Sequence, residues 1–211
     1  MLNKNLILSI LLLFTTYSFA GNINKEKPKY LWFDAEANFE RFSSKDSISY
    51  YLEKAKDVGF NQVVVDVKPI YGEVLYKSKI LPPLTTVHNK VIERDWDYLQ
   101  YFIDEAHRLG LKVTVSTAVF TAGHPATCEG LVYEDKRWNG KTCLEYMSNN
   151  KMLDIRDDKQ KVGAFLNPVR KDVRNFALSI IREIVKNYDI DAYALDYCRY
   201  PADNSDFSNE T

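Results

Sequence analysis

From residue 30 onward, short runs of apolar and β-branched residues alternate with longer stretches in which apolar residues recur every three to four positions. The first rhythm predicts strands covered on both faces, the second amphipathic helices. Strands are expected at 30–35, 60–67, 111–120 and from 190 to about 198. A first helix over 45–58 carries the stripe Ile48, Tyr51, Leu52 and Ala55, with Ser44 to cap it and Gly59 to stop it. A second, capped by Asp95 and ended by Gly110, repeats Tyr98, Phe102 and Ala106, and a third over 172–188 repeats Phe176, Ile180, Ile184 and Val185. The segment 70–94, broken by Gly72 and Pro82-Pro83, reads as a loop. The connection 121–171, about fifty residues, has the length that compact domains keep for function.

The order β-α-β-α-β-α-β implies an α/β fold with a parallel sheet and right-handed crossovers. An open doubly wound sheet and a TIM-like (β/α)8 barrel both begin this way. A nucleotide-binding doubly wound sheet would carry a glycine-rich turn after its first strand, and residues 34–38 contain no glycine. Polar residues at the strand ends, Asp34, Asp66, Lys68, Ser116 and Asp196, fit a barrel whose upper rim is a shared site. A whole barrel takes ~250 residues, so residues 30–211 are expected to be its N-terminal half: four strands and three helices of a longer protein.

Ahead of this pattern, Lys4, the apolar stretch 6–14 and Ser18-Phe19-Ala20 have the layout of a secretory signal peptide, cleaved near Ala20 and followed by a polar leader over 21–29. The apolar stretch is short for a membrane span, so a secreted or periplasmic protein is expected rather than an integral membrane one. With 28 Lys+Arg against 29 Asp+Glu and no basic stripe, no nucleic-acid partner is expected. The 14 Tyr and 11 Phe suit a carbohydrate ligand, whose C–H faces stack on rings, although most such rings serve as core. Cys128 and Cys143, in one long connection, are candidates for a disulfide, leaving Cys198 as a buried free thiol. His88, His107 and His124 have no metal-ligand spacing, so neither a metal nor a cofactor is expected.

Several segments carry a resemblance: Leu31-Trp32-Phe33-Asp34, the junction from Ala55 to Asn61, Val65-Asp66-Val67-Lys68-Pro69, Asp95-Trp96-Asp97-Tyr98-Leu99, Phe165-Leu166-Asn167-Pro168, and Leu195-Asp196-Tyr197-Cys198-Arg199-Tyr200-Pro201 with Asp206-Phe207-Ser208. In this order the chain resembles the glycosyl-hydrolase-like 10 family of secreted bacterial proteins. The resemblance implies a TIM-like barrel acting on polysaccharide, with the acidic residue of the fourth strand in the active centre. Two positions depart from the family's pattern. Ala192 follows Asp191 where glycine is usual, and Val115-Ser116-Thr117-Ala118 stands where many members end the third strand in a His-Ala-Trp type sequence.

Glycoside hydrolysis needs two carboxyl groups flanking the scissile bond, one donating a proton and the other acting as nucleophile or base. Asp196 is the candidate for one of them; pairing with Arg199 or holding a loop is its structural alternative. Asp34, Asp66 and Glu36 are candidates for the second, as is a carboxylate on a later strand. Asp66 and Lys68 point to one side of their strand, suited either to a salt bridge or to holding sugar hydroxyls. Tyr71, Tyr200, Arg199 and Asn167 are further candidates for substrate binding, with Tyr76, Trp138 and Tyr197 as rings able to line subsites, each with a core or turn-shaping alternative. A carbohydrate-binding barrel without turnover is the rival to hydrolysis. An esterase would need a Gly-x-Ser-x-Gly turn or a metal cluster that the chain lacks.

Overall fold

Helix formation follows the caps and stripes closely. In a computed structural model that describes residues 27–209, the chain runs β1 (Tyr30–Phe33), α1 (Lys45–Asp57), β2 (Gln62–Lys68), β3 (Thr86–Val87), β4 (Lys90–Val91), α2 (Tyr98–Arg108) and β5 (Lys112–Ala118). It continues through α3 (Leu131–Glu134), β6 (Leu144–Tyr146), β7 (Met152–Asp154), α4 (Lys171–Asn187) and β8 (Ala192–Asp196). The expected signal peptide and residues 21–26 of the leader lie outside the described residues.

Ser44 caps α1 by accepting the N–H of Ser47 at 3.2 Å, and Gly59 leaves the helix at φ 91°. The cap of α2 is Asp97, not Asp95. Its Oδ1 accepts the N–H of Gln100 at 3.1 Å and its Oδ2 the hydroxyl of Tyr188 at 2.8 Å, so the same carboxylate starts one helix and ties down the end of another. In α4 the buried positions are Val173, Ala177, Ile180 and Ile184; Val185, expected inside, is exposed. The stripe is shifted because Val173 and Ala177 extend the Ile180–Ile184 line toward the N-terminus at helical spacing, and Val185 falls on the face beside it.

Strands β1, β2, β5 and β8 form one sheet, all parallel and in that order. Each is joined to the next by a segment that includes a helix, the βαβ arrangement of a barrel's first half. Val63, Val65, Val113 and Val115 face the helices and join Ile48, Leu52, Leu99, Phe102 and Ile184 in the core. Phe33, Phe42 and Phe102 meet edge to face, their centroids 5.2 to 6.0 Å apart. Asn61 anchors the start of the sheet: its side chain bonds the N–H of Lys29 and the carbonyl of Lys27. Among the described residues no helix is long and apolar enough to cross a membrane.

The two long connections are more structured than their sequences suggested. β3 and β4 form a two-residue hairpin inside 70–94, with His88 and Asn89 at φ 47° and 63°. The segment 121–171 holds α3, the antiparallel pair β6–β7 and two 3₁₀ turns, Lys136–Trp138 and Ile155–Asp157. The expected Cys128–Cys143 disulfide is not formed, and all three cysteines are free. Cys143 turns its thiol inward against Ile155 and Phe165, whereas Cys128 sits in a surface turn that closes back on His124. Cys198 is exposed rather than buried, because it lies past the end of β8.

Candidate active site

The parallel register sets the carboxyl ends of four strands side by side. Ala118 at the end of β5 is in register with Asp196 at the end of β8, and the N–H of Val119 donates to the carbonyl of Asp196 at 2.8 Å. On the other flank, Lys68 at the end of β2 reaches β5: its Nζ donates to the carbonyls of Ala118 at 2.5 Å and Thr121 at 2.8 Å. Asp66, two residues earlier, accepts the N–H of Ala35 just beyond β1. Neighbouring groups thus run without a break from β1 through Asp66, Lys68 and Ala118 to Asp196.

The electrostatics follow from that crowding. Burial, reinforced by the Asp34 carboxylate, pushes the Asp66 carboxyl up to about 7, against the opposing pull of the N–H groups of Ala35 and Lys68 and of the Lys68 charge. Lys68 is 1% exposed, and burial draws its ammonium down to about 7 despite Asp66. Its amine bonds carbonyls at the end of β5 and in the loop that follows, so Lys68 is a buried strand tie rather than a group free to hold sugar hydroxyls. Glu36 is also raised, first by burial and then by Asp34, while the N–H of Ile70 and His88 pull the other way. Asp34 accepts the N–H of Ala37 at 2.7 Å, which bends the chain immediately after β1.

Tyr197 joins the two flanks. It leaves β8 at φ 46°, and its N–H donates to the carboxylate of Asp196 at 2.8 Å. Burial first, then Asp196 and the β1-end residues Glu36 and Asp34, raise its phenol, so the hydroxyl lies within the field of carboxylates from both the first and the fourth strand. Arg199 stacks over Tyr197 and Phe165, centroid distances 5.4 and 5.7 Å, and donates to the carbonyls of Tyr200 and Pro201. It shapes the turn after β8. Asp196 itself is exposed at the rim.

Tyr71 lies on the same rim, stacked on His124 at 5.8 Å and pushed up to about 12 by burial and then by Glu36, Glu129 and Glu73. Glu73 is raised to about 7, by burial and then by Glu134 and Glu129. This second acidic group, together with His124, was missed in the sequence: its members come from two loops that no periodicity connects. Among the described residues, no three His, Cys, Asp or Glu side chains converge as metal ligands would.

Other candidates have structural posts. Asn167 is buried, its amide bonded to Asp206 at 2.6 Å and to Ser208 at 3.1 Å, and its Oδ1 accepts the N–H of Val169. It holds the 202–208 turn. Tyr200 packs with Cys143, Ile155 and Phe165; Trp138 packs on Phe176 with centroids 4.5 Å apart; the Tyr76 hydroxyl donates to Glu183. A cavity of about 450 Å³ lined by Tyr76, Leu81, Arg94, Trp96 and Tyr98 is separate from the strand-end group, since none of Asp34, Asp66 and Asp196 lines it.

The model of the glycosyl hydrolase-like 10 family matches residues 29–210, nearly the whole described chain. The chain belongs to this family. An S-layer-related protein of Niallia circulans is 35% identical over 195 residues, which is 88% of this chain and 12% of that protein. The glycosyl hydrolase DigH of Escherichia coli K12 is 28% identical over 149 residues, 69% of this chain and 32% of DigH. The chain therefore spans a third or less of the curated relatives it matches. The alpha-L-fucosidase isoenzyme 2 of Paenibacillus thiaminolyticus superposes with a TM-score of 0.54 at 20% identity, over 81% of this chain and 23% of that one. At that identity the likeness speaks for the fold: four parallel strands of a TIM-like barrel, of the kind glycosidases use.

Proposed function

We propose that this chain is part of the catalytic barrel of a glycoside hydrolase, cleaving O-glycosidic bonds of a polysaccharide or oligosaccharide with Asp196 as one of the two reacting carboxyl groups. The observation that carries this reading is the field at the Tyr197 phenol, which Asp196 at the end of β8 and Glu36 and Asp34 just beyond β1 all push upward. A glycosidase needs carboxyl groups in two protonation states on opposite sides of a bond. Glu36, raised by burial and by Asp34, has the character of a proton donor, and Asp196 at the open rim takes the complementary role. Asp66 and Lys68 act one layer below, as supports of the strand ends. The rings of Tyr71 and Tyr197 offer faces for a sugar.

The N-terminal signal-like segment favours a substrate outside the cytoplasm, an envelope glycan or an external polysaccharide. The family assignment and the glycosidase fold support hydrolysis over binding alone. The test is release of reducing ends by the full-length protein from soluble polysaccharides and peptidoglycan glycan strands. Release from one class is the expected result. Retention of a glycan without release would instead assign the barrel to carbohydrate binding.

A further inference from the structure

The cysteine first expected in a disulfide has a different neighbour. Cys128 is exposed, and its Sγ lies 2.7 Å from the Nζ of Lys159, a residue 31 positions along the chain and also exposed. Even an N–H···O bond has a heavy-atom distance of ~2.9 Å, and sulfur is the larger atom, so an ammonium–thiol hydrogen bond should be longer than this. The gap is too wide for a direct S–N bond, yet it matches two single bonds meeting at one bent oxygen. The amine is also held in place, donating to the carbonyl of Pro125 at 2.7 Å.

We propose that Cys128 and Lys159 form an oxidative cross-link, Cys–S–O–NH–Lys, with hydrogen peroxide as the oxidant. In the first step the Cys128 thiolate attacks peroxide, giving the sulfenic acid and one water. The sulfenic oxygen then lies between sulfur and the Lys159 nitrogen. A second peroxide accepts two electrons as the O–N bond forms; the sulfenic O–H proton and one amine proton leave with the reduced oxygens as two waters. In sum, one thiol, one amine and two peroxides give one S–O–N bridge and three waters. The bridge joins the turn 124–130 to the 158–161 turn. The first of these contacts Tyr71 at the rim through the Tyr71–His124 stack, and it leads directly into Leu131, whose N–H donates to the Tyr71 carbonyl. Oxidation would therefore stiffen the loop that flanks the proposed site, and a reductant would release it.

The test is peptide mass spectrometry of the full-length protein after peroxide treatment, with Cys128→Ser and Lys159→Arg alongside. The expected product is a linked pair of peptides heavier than their sum by one oxygen less two hydrogens. Tryptic cleavage after Lys159 should be lost, and dithiothreitol should restore both peptides. Neither variant should give the linked species, and exposed Cys198 serves as an internal control for unassisted thiol oxidation. The proposal is overturned if Cys128 ends as a sulfinic or sulfonic acid, or in a disulfide, with Lys159 still cleaved. It is equally overturned by a linked pair lighter by two hydrogens with no added oxygen, which is a direct S–N bond.

Discussion

Asp66 and Lys68 titrate in opposite senses within one buried site, and this gives the folded chain a pH dependence with a defined sign. Asp66 keeps its proton in the folded state up to about 7, against 3.8 for a free aspartate, so between those values the folded chain binds more protons than the unfolded one. Stability must then fall as pH rises through that window. Lys68 loses its proton near 7 when folded and at 10.5 when free; there the unfolded chain binds more protons, and stability rises with pH above neutrality. The pair predicts a dip near neutral pH. Urea midpoints at mildly acidic, neutral and mildly alkaline pH would display it, and Asp66→Asn should remove the acidic-side decline while keeping the alkaline-side rise. An unchanged acidic slope in the variant would show that other groups set it. The identity of this pair was legible in the sequence because two polar residues end an otherwise β-branched strand. Its geometry was not, since the register shifts between Asp66 and Lys68, and the lysine bonds the carbonyls of Ala118 and Thr121 rather than its neighbour's carboxylate.

Strands and long helices were readable from periodicity because each is a repeated local choice that burial reinforces. All four sheet strands and three main helices fall where apolar spacing put them, within a few residues. What escaped was set by single contacts. The cap of α2 moved because Asp97 meets Tyr188, 91 positions away. The β3–β4 hairpin consists of two-residue strands, too short to show alternation, and its turn residues His88 and Asn89 reach positive φ without a glycine to mark them. The disulfide failed because strand pairing through 143 turns Cys143 inward. Between elements, the Lys68 amine is the main polar tie of β2 to the loop after β5. Lys68→Ala would leave the carbonyls of Ala118 and Thr121 buried without a donor and open a void, a loss of roughly 3–5 kcal/mol in chemical denaturation. A loss below about 1 kcal/mol would mean that water or a rearranged loop replaces the amine.

The whole sheet has an open edge on each side among the described residues: β1 with Trp32 48% exposed, and β8 with Leu195 53% exposed. Leu178 and Val185, two turns apart on α4, leave further apolar side chains exposed. Open parallel edges of this kind pair with other chains. The 211-residue chain alone is expected to self-associate at micromolar concentration in light scattering, and Trp32→Lys with Leu195→Lys should shift it toward the monomer; a monomeric native chain would show the edges to be protected. At this scale the architecture was legible because the alternation of strands and helices determines it, and the strand-end position of Asp196 followed. The surroundings of Asp196 were not, since Glu36 and Asp34 come into the field of neighbouring Tyr197 only through tertiary folding. The direct test of the central claim is reducing-end release by the full-length protein compared with its Asp196→Asn variant, which preserves shape and removes the acid. A fall of ~1000-fold or more in turnover, with the fold intact, is the predicted result. Release unaffected by the substitution would contradict the assignment of Asp196 to the reaction.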